Sequence, residues 1–219
     1  MTTLLLIRHG ENNLVGKRLP GRMPDVHLNE RGLKQAEALV PALQKAPLKA
    51  IYSSPLERAQ ETAEPLARAL GLDVQLVADL ADVDPGKWTG RTLKSVRRLK
   101  AWKVVQEQPS AFRFPDGETF VEAQARAVAA LNAIAARHPE ELVACFTHAD
   151  VVRLVTAHYL GMALDTFQRL GADTTSITVV HIGKDGQVSV PRINQVLGFE
   201  WPEEKPKPKK SSKTDRVTV

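Results

Sequence analysis

The segment Thr3–Ile7 constrains the fold of this chain more than any other feature of its sequence. It is a continuous apolar run close to the N-terminus. A strand covered on both faces is apolar throughout, whereas a strand with one exposed face alternates apolar and polar residues. Strand-like segments recur at 49–53, 73–77 and 142–147, with helix-like segments between them. The sequence therefore predicts an α/β fold with a mostly parallel sheet and helices on both faces.

The predicted helices have recognisable ends. A Ser or Thr followed three residues later by Glu is the signature of a capping box, and it predicts helix starts at Ser54 and Thr119. Gly71 and Gly161 are expected to end two of the helices, because glycine tolerates the left-handed conformation of a helix C-terminus. Helical spacing and these end signals together predict helices over 29–46, 54–70, 119–137 and 151–160.

The rest of the chain gives a less regular pattern. Asp185-Gly186 lies between two β-branched segments, which predicts a hairpin of strands 176–182 and 187–193. Segment 79–114 mixes loop and helix signals, and no internal repeat is visible. We expect one domain over residues 1–201. Residues 202–219 are rich in Glu, Lys, Pro and Ser and are predicted to be a disordered basic tail.

The charge of the chain resides largely in this tail. The net charge is +5 and the isoelectric point is 9.4. Six basic and three acidic residues after Trp201 supply +3 of that charge. The body is therefore only mildly basic, and a nucleic-acid partner is not indicated.

Other features indicate a cytoplasmic protein. No apolar run approaches the roughly 18 residues of a membrane span, so no membrane partner is expected. The N-terminus lacks the basic region and cleavage site of a secretory signal. Cys145 is the only cysteine, so no intrachain disulfide can form. The pattern indicates no oligomeric state.

Polar residues follow the predicted strands at the points where parallel strands end. Arg8 and His9 follow the first strand, and His148 follows the strand at 142–147. Ligands in open α/β sheets bind beyond the carboxyl ends of the strands. Arg58 lies one turn into the helix after the second strand, and its planar guanidinium suits phosphate oxygens, as does that of Arg8. The helix after His148 offers backbone N–H groups to an anion.

Each of these residues also has a structural interpretation. An Arg-His-Gly tripeptide is a weak signal, His148 alone could cap a helix, and Arg58 alone is most often a solvated charge. Cys145 is more plausibly a buried apolar thiol than a nucleophile. The segment from Gly10 to Arg18 has the wrong spacing for a P-loop. No motif supplies a set of metal ligands, and no cofactor is expected.

The joint pattern resembles the histidine phosphatase superfamily, also called phosphoglycerate mutase-like. The similarity covers nearly the whole chain before the tail, and its blocks follow the order of the family. The matching blocks are Leu6-Ile7-Arg8-His9-Gly10-Glu11, Leu28-Asn29-Glu30-Arg31-Gly32-Leu33-Lys34-Gln35-Ala36, Ser53-Ser54-Pro55-Leu56-Glu57-Arg58-Ala59-Gln60-Glu61-Thr62-Ala63, Gly86-Lys87-Trp88-Thr89-Gly90, Phe114-Pro115-Asp116-Gly117-Glu118 and Thr147-His148-Ala149-Asp150-Val151-Val152-Arg153.

The resemblance implies a three-layer α/β/α sandwich and assigns roles to residues of its site. It implies that His9 is the nucleophile and that Arg8, Arg58, His148 and the backbone of Ala149 bind phosphate. It places the acid/base carboxyl group at Asp82, where the family usually has Glu; Asp84 stays an alternative. Specificity is expected from residues 14–27, with Gly21 and Arg22 as substrate-binding candidates, and from a possible lid at 91–114.

Two further departures from the family pattern concern the phosphate site. Val15 stands where many members have an Asn, and Ala149 replaces a Gly. The resemblance predicts a metal-independent phosphatase that acts on a small phosphorylated metabolite through a phosphohistidine. A phosphoglycerate mutase-type phosphomutase and a weakly active phosphoryl-ligand binding module are the alternatives. The segment Trp88-Thr89-Gly90-Arg91 favours the phosphatase branches.

Overall fold

The computed structural model describes residues 1–197, and the predicted tail lies outside them. Six strands form one sheet in the order β3-β2-β4-β1-β5-β6. The first four are mutually parallel, and β5 is antiparallel to both β1 and β6. The strands are β1 (Thr2–Arg8), β2 (Leu48–Ser53), β3 (Val74–Leu76), β4 (Leu142–Thr147), β5 (Ile177–Ile182) and β6 (Val188–Gln195).

Helices cover both faces of this sheet, as predicted. One face packs against α5 and α6, and the other packs against α1 and α2. The helices are α1 (Glu30–Leu43), α2 (Glu57–Leu70), α3 (Leu93–Val96), α4 (Lys100–Glu107), α5 (Phe120–Arg137) and α6 (Ala149–Tyr159). The prediction of an α/β fold with a mostly parallel sheet is confirmed.

Most of the predicted ends agree with the structure. The capping box at Thr119 is present, with Thr119 and Glu122 bonded reciprocally. Gly71 ends α2 in the left-handed conformation. The hairpin of β5 and β6 is present around Asp185-Gly186. Helix α1 ends at Leu43, two residues after Pro41, and so stops short of the predicted residue 46.

The capping box predicted at Ser54 is wrong. Helix α2 begins at Glu57, and its N-cap, Leu56, has no side-chain hydrogen bond to the helix. The Ser54 side chain is buried and lies 2.7 Å from a ring nitrogen of His148. Ser54 therefore does not cap α2, because its hydroxyl group contacts His148 in the interior.

The irregular segment after β3 packs into a third apolar cluster. It contains the short helices α3 and α4 and 3-10 turns at Ala78–Leu80, Gly86–Trp88 and Pro109–Ala111. Its aromatic side chains pack on α5, α6 and Phe167 of the turn Leu164–Arg169. This cluster lies beside the carboxyl ends of the parallel strands, because Val83, Leu93 and Phe114 line the same cavity as His9. No helix among the described residues is long and apolar enough to cross a membrane.

Candidate active site

The pairing of β1 with β4 brings His9 and His148 together. In the parallel register Arg8 is opposite Thr147, and the His9 N–H donates to the Thr147 carbonyl at 2.9 Å. His9 and His148 therefore leave the same sheet edge side by side. Their ring centroids are 5.3 Å apart, and both side chains are almost completely buried.

The tautomer of His9 follows from its hydrogen bond. Nδ1 lies 2.7 Å from the carbonyl oxygen of Gly10, which can only accept, so Nδ1 carries the proton. Nε2 of the neutral ring then keeps its lone pair. Burial, together with the charges of Arg58 and Arg8, lowers the pKa of His9 to about 3. The ring is thus neutral near pH 7 and available as a nucleophile.

His148 is held in the same tautomer by Ser54. The Ser54 hydroxyl accepts from the Leu56 N–H at 3.3 Å and lies 2.7 Å from Nε2 of His148, to which it can donate. Nδ1 then carries the proton, and it has no hydrogen-bond partner among the described residues. Burial, followed by Arg58 and His9, lowers the pKa of His148 well below its usual value. His148 is therefore a neutral donor.

Two arginines, the fully buried Arg58 and the partly buried Arg8, provide the positive charge of the site. The Nη1 of Arg8 donates to the Ala172 carbonyl at 2.6 Å, and Nη2 of Arg58 donates to the Gly21 carbonyl at 2.6 Å. These bonds fix both guanidinium groups. Within residues 1–197, Nε of Arg8 and Nε and Nη1 of Arg58 have no partner. Because buried donors are normally satisfied, such a cluster indicates an anion site.

Asp82, not Asp84, lies among these groups. Its Oδ2 is 3.3 Å from Nη2 of Arg58 and 3.8 Å from Nδ1 of His148. Burial, with a contribution from Asp150, raises the pKa of Asp82 to about 6. The Asp84 carboxylate instead accepts from the Gly86 N–H at 2.9 Å within its own turn. The geometry thus gives Asp82 the position and the proton affinity of a general acid.

The backbone of Asp82 is fixed by a separate ionic network. Arg126 and Arg22 both donate to the Asp82 carbonyl, at 3.1 and 3.0 Å. Both also pair with the half-buried Glu118, which accepts from the Asp84 N–H as well. Arg22 was a candidate for substrate binding from the sequence. The structure places its guanidinium against the loop that carries Asp82. Gly21 does line the cavity, and its carbonyl anchors Arg58.

Close backbone approach explains two of the sequence blocks. A Cβ on Gly32 would lie 2.0 Å from the Glu11 carbonyl oxygen, and a Cβ on Gly10 would lie 2.8 Å from the Gly32 oxygen. The start of α1 therefore packs directly on the loop that follows His9. This contact requires glycine at both positions and fixes the direction in which the loop leaves β1.

His9, Arg8 and Asp82 line a small cavity of about 230 Å³, together with Val15 and Ala149. Asn12, which the sequence analysis did not single out, lies in its wall and is only 2% exposed. Its Oδ1 accepts from the N–H groups of Leu14 and Val15, so Nδ2 points away from them and has no partner in the described part of the chain. Asn12 thus offers an amide donor where Val15 offers none.

Sequence reasoning missed Ser54 and Asn12 for different reasons. Ser54 lies directly after β2, which neighbours β4, so its place at the strand end was an available signal. Asn12 lies in a loop, and its orientation depends on two backbone bonds that no sequence pattern shows. Among residues 1–197 no three His, Cys, Asp or Glu side chains are grouped to hold a metal ion.

Helices cover both faces of the sheet, and its edge holds unpaired cationic and imidazole donors around a neutral imidazole. This arrangement defines a phosphoryl-transfer enzyme, and this one is a phosphoric monoester hydrolase. The chain belongs to the histidine phosphatase superfamily (branch 1), whose sequence profile matches residues 4–195. The resemblance stated from the sequence is therefore confirmed.

Individual relatives agree with this assignment. Phosphoserine phosphatase 1 of Hydrogenobacter thermophilus is 33% identical over 189 residues, which is 83% of this chain and 87% of that protein. The structure of YhfR from Bacillus stearothermophilus is 30% identical with a TM-score of 0.84, covering 90% of this chain and 98% of the other. A phosphoserine phosphatase from Entamoeba histolytica, bound to 3-phosphoglyceric acid, is 25% identical with a TM-score of 0.80, covering 90% and 98%.

Proposed function

We propose that this enzyme hydrolyses phosphate monoesters of small metabolites, without a metal ion, through a phosphohistidine on Nε2 of His9. The observation that carries the proposal is the hydrogen bond from Nδ1 of His9 to the Gly10 carbonyl. It leaves the Nε2 lone pair as the reactive one. The low pKa of the ring keeps that lone pair unprotonated at neutral pH.

In the first step, Nε2 of His9 attacks phosphorus and the ester P–O bond breaks. The unpaired donors of Arg8, Arg58 and His148 stabilise charge on the three equatorial oxygens. The leaving oxygen takes the proton of Asp82. Because the pKa of Asp82 is raised to about 6, a useful fraction of the enzyme holds this proton near neutral pH.

In the second step, water replaces the leaving group. The Asp82 carboxylate removes a proton from water, the new P–O bond forms and the P–N bond breaks, which regenerates neutral His9 and releases phosphate. Transfer to a second metabolite instead of water would make the enzyme a phosphomutase. We favour water because the phosphatase names of the relatives in Hydrogenobacter and Entamoeba agree with hydrolysis.

Rapid quench with a phosphoryl-labelled substrate in excess EDTA tests the mechanism. We expect acid-labile, base-stable label on the peptide that contains His9, and none in a His9→Asn variant. Vanadate, which mimics five-coordinate phosphorus, should inhibit. Label on serine or aspartate, or activity that needs added magnesium, would refute the proposal. Inactivity with intact ligand binding would favour the binding-module alternative.

A further inference from the structure

The structure places a second polar subsite beside the phosphate site, on the first turn of α6. We infer that Asp150 and Arg153 recognise the leaving group of a phosphorylated α-amino acid, with its ammonium at Asp150 and its carboxylate at Arg153. The inference rests on the proposed function, because it names the substrate class of the same site.

The position of the two residues is set by His148. Asp150 follows His148 by two residues, and Arg153 lies on the next turn of α6. Both line the cavity that holds His9 and Arg8. Nη1 of Arg153 lies 3.2 Å from Oδ1 of Asp150, and their side chains are 28% and 40% exposed. The Nε of Arg153 donates to the Leu170 carbonyl at 2.9 Å, which holds the guanidinium in place.

A carboxylate at this position opposes phosphate binding. The charge of Asp150 acts on groups of the proposed phosphate site: after burial it contributes to the raised pKa of Asp82, and it partly offsets the lowering of the Arg8 pKa by burial. A phosphate dianion in the same cavity is repelled by that charge. Asp150 therefore favours a phosphate ester whose leaving group carries a positive charge over one whose leaving group does not.

The geometry of the pair matches one class of leaving group. The ammonium and carboxylate of an α-amino acid are bonded to the same carbon atom. In a bound substrate the ammonium can therefore pair with Asp150 and the carboxylate with Arg153, whose charged atoms lie 3.2 Å apart. The same cavity also has apolar lining residues, among them Leu19, Leu93 and Phe114. The small volume of about 230 Å³ also favours a short leaving group.

Two substrates separate the charge of the leaving group from its size. O-phosphoserine and 3-phosphoglycerate carry an ammonium or a hydroxyl group on the same carbon and are otherwise alike. We expect the wild type to prefer phosphoserine. Asp150→Asn should lower kcat/KM on phosphoserine about two- to fivefold, the size expected for a partly exposed charge pair, and raise it on 3-phosphoglycerate.

Arg153 is tested with a substrate that lacks the carboxylate. Arg153→Gln should weaken turnover of phosphoserine and 3-phosphoglycerate, with a smaller effect on phosphoethanolamine. Asp73→Asn is the matched control. It removes the same charge, but Asp73 is exposed at the opposite end of the parallel strands. This variant should have the wild-type kcat/KM on all three substrates.

The readout distinguishes this role from a structural one. An acid in the first turn of a helix also stabilises that helix through its dipole. If Asp150 served only that purpose, Asp150→Asn would lower the melting temperature and change kcat/KM on phosphoserine and 3-phosphoglycerate by the same factor. That result would overturn the inference. If the wild type hydrolysed no phosphate ester, the proposed function would fail instead. Calorimetric binding of phosphoserine and 3-phosphoglycerate to both proteins would then decide the subsite separately.

Discussion

Replacing Asp82 by asparagine tests the proton donor, because it preserves the shape of the side chain and removes its proton. The magnitude follows from its surroundings. With a pKa of about 6, roughly one tenth of the enzyme holds this proton at pH 7 and roughly nine tenths at pH 5. An alkyl phosphate needs the proton because its leaving alkoxide is strongly basic. We expect Asp82→Asn to lose roughly 10²–10⁴-fold in kcat/KM on such a substrate.

The pH dependence of this loss is the sharper test. The wild type gains protonated donor as the pH falls from 7 to 5, whereas the variant has none to gain. The ratio of wild-type to variant kcat/KM should therefore rise about tenfold over that interval. Ionisation of the substrate affects both proteins equally and cancels in the ratio. The assay is steady-state turnover of an alkyl phosphate at several pH values.

An aryl phosphate provides the internal comparison. Its leaving group departs with little help, so Asp82→Asn should form phosphohistidine at nearly the normal rate. Hydrolysis of that intermediate still needs the base, and a burst of phenol should precede slow turnover. Asp84→Asn is the matched control, since Asp84 binds its own turn. Equal losses of Asp82→Asn on both substrates, or a leaving-group-dependent loss in Asp84→Asn, would refute the assignment.

Three further predictions concern the groups around the donor. Ser54→Ala should lower kcat about tenfold, because His148 is then no longer held in one tautomer, whereas the buried neighbour variant Ser53→Ala should not; equal kcat values would refute this role of Ser54. Asn12→Asp keeps the acceptor for Leu14 and Val15 but replaces the free donor with an anion, so it should bind vanadate more weakly than Asn12→Ala; wild-type affinity would contradict a phosphate-binding role. Because the pKa values of His9 and His148 are lower in the folded chain, the free energy of unfolding should fall as the pH drops from 6.5 toward about 3. The raised pKa of Asp82 has the opposite effect, but only between about pH 4 and 6. His9→Gln should reduce the slope by ~1.4 kcal/mol per pH unit, measured by urea unfolding, and an unchanged slope would show that His9 is not buried in its neutral form.

The sequence predicted the strands and their ends better than the local role of single side chains. Apolar runs identified β1 and β4, and the parallel arrangement then required His9 and His148 to meet at one edge. The helix start at Ser54 was mispredicted because a short polar side chain near a strand end can serve either the backbone or the interior. Only the packing of His148 against it decides between these uses.

The environment of Asp82 was likewise beyond the sequence. Its spacing from Trp88 suggested the position, but the arginines that hold its backbone come from two distant segments, at Arg22 and Arg126. Local patterns do not encode such long-range contacts. The same holds for Asn12, whose orientation depends on the turn that it begins.

The single cysteine of this enzyme can be used to detect movement of the helices that cover the sheet. Cys145 lies on β4, between Leu6 of β1 and Tyr52 of β2, and is completely buried. Burial raises the pKa of its thiol to about 12, so oxidants and alkylating reagents find almost no thiolate in the folded chain. The thiol packs in the apolar cluster beneath α5 and α6, so modification requires these helices to part from the sheet. Helix α6 begins directly after His148. The rate of thiol labelling would consequently measure how often the element that follows His148 leaves its place.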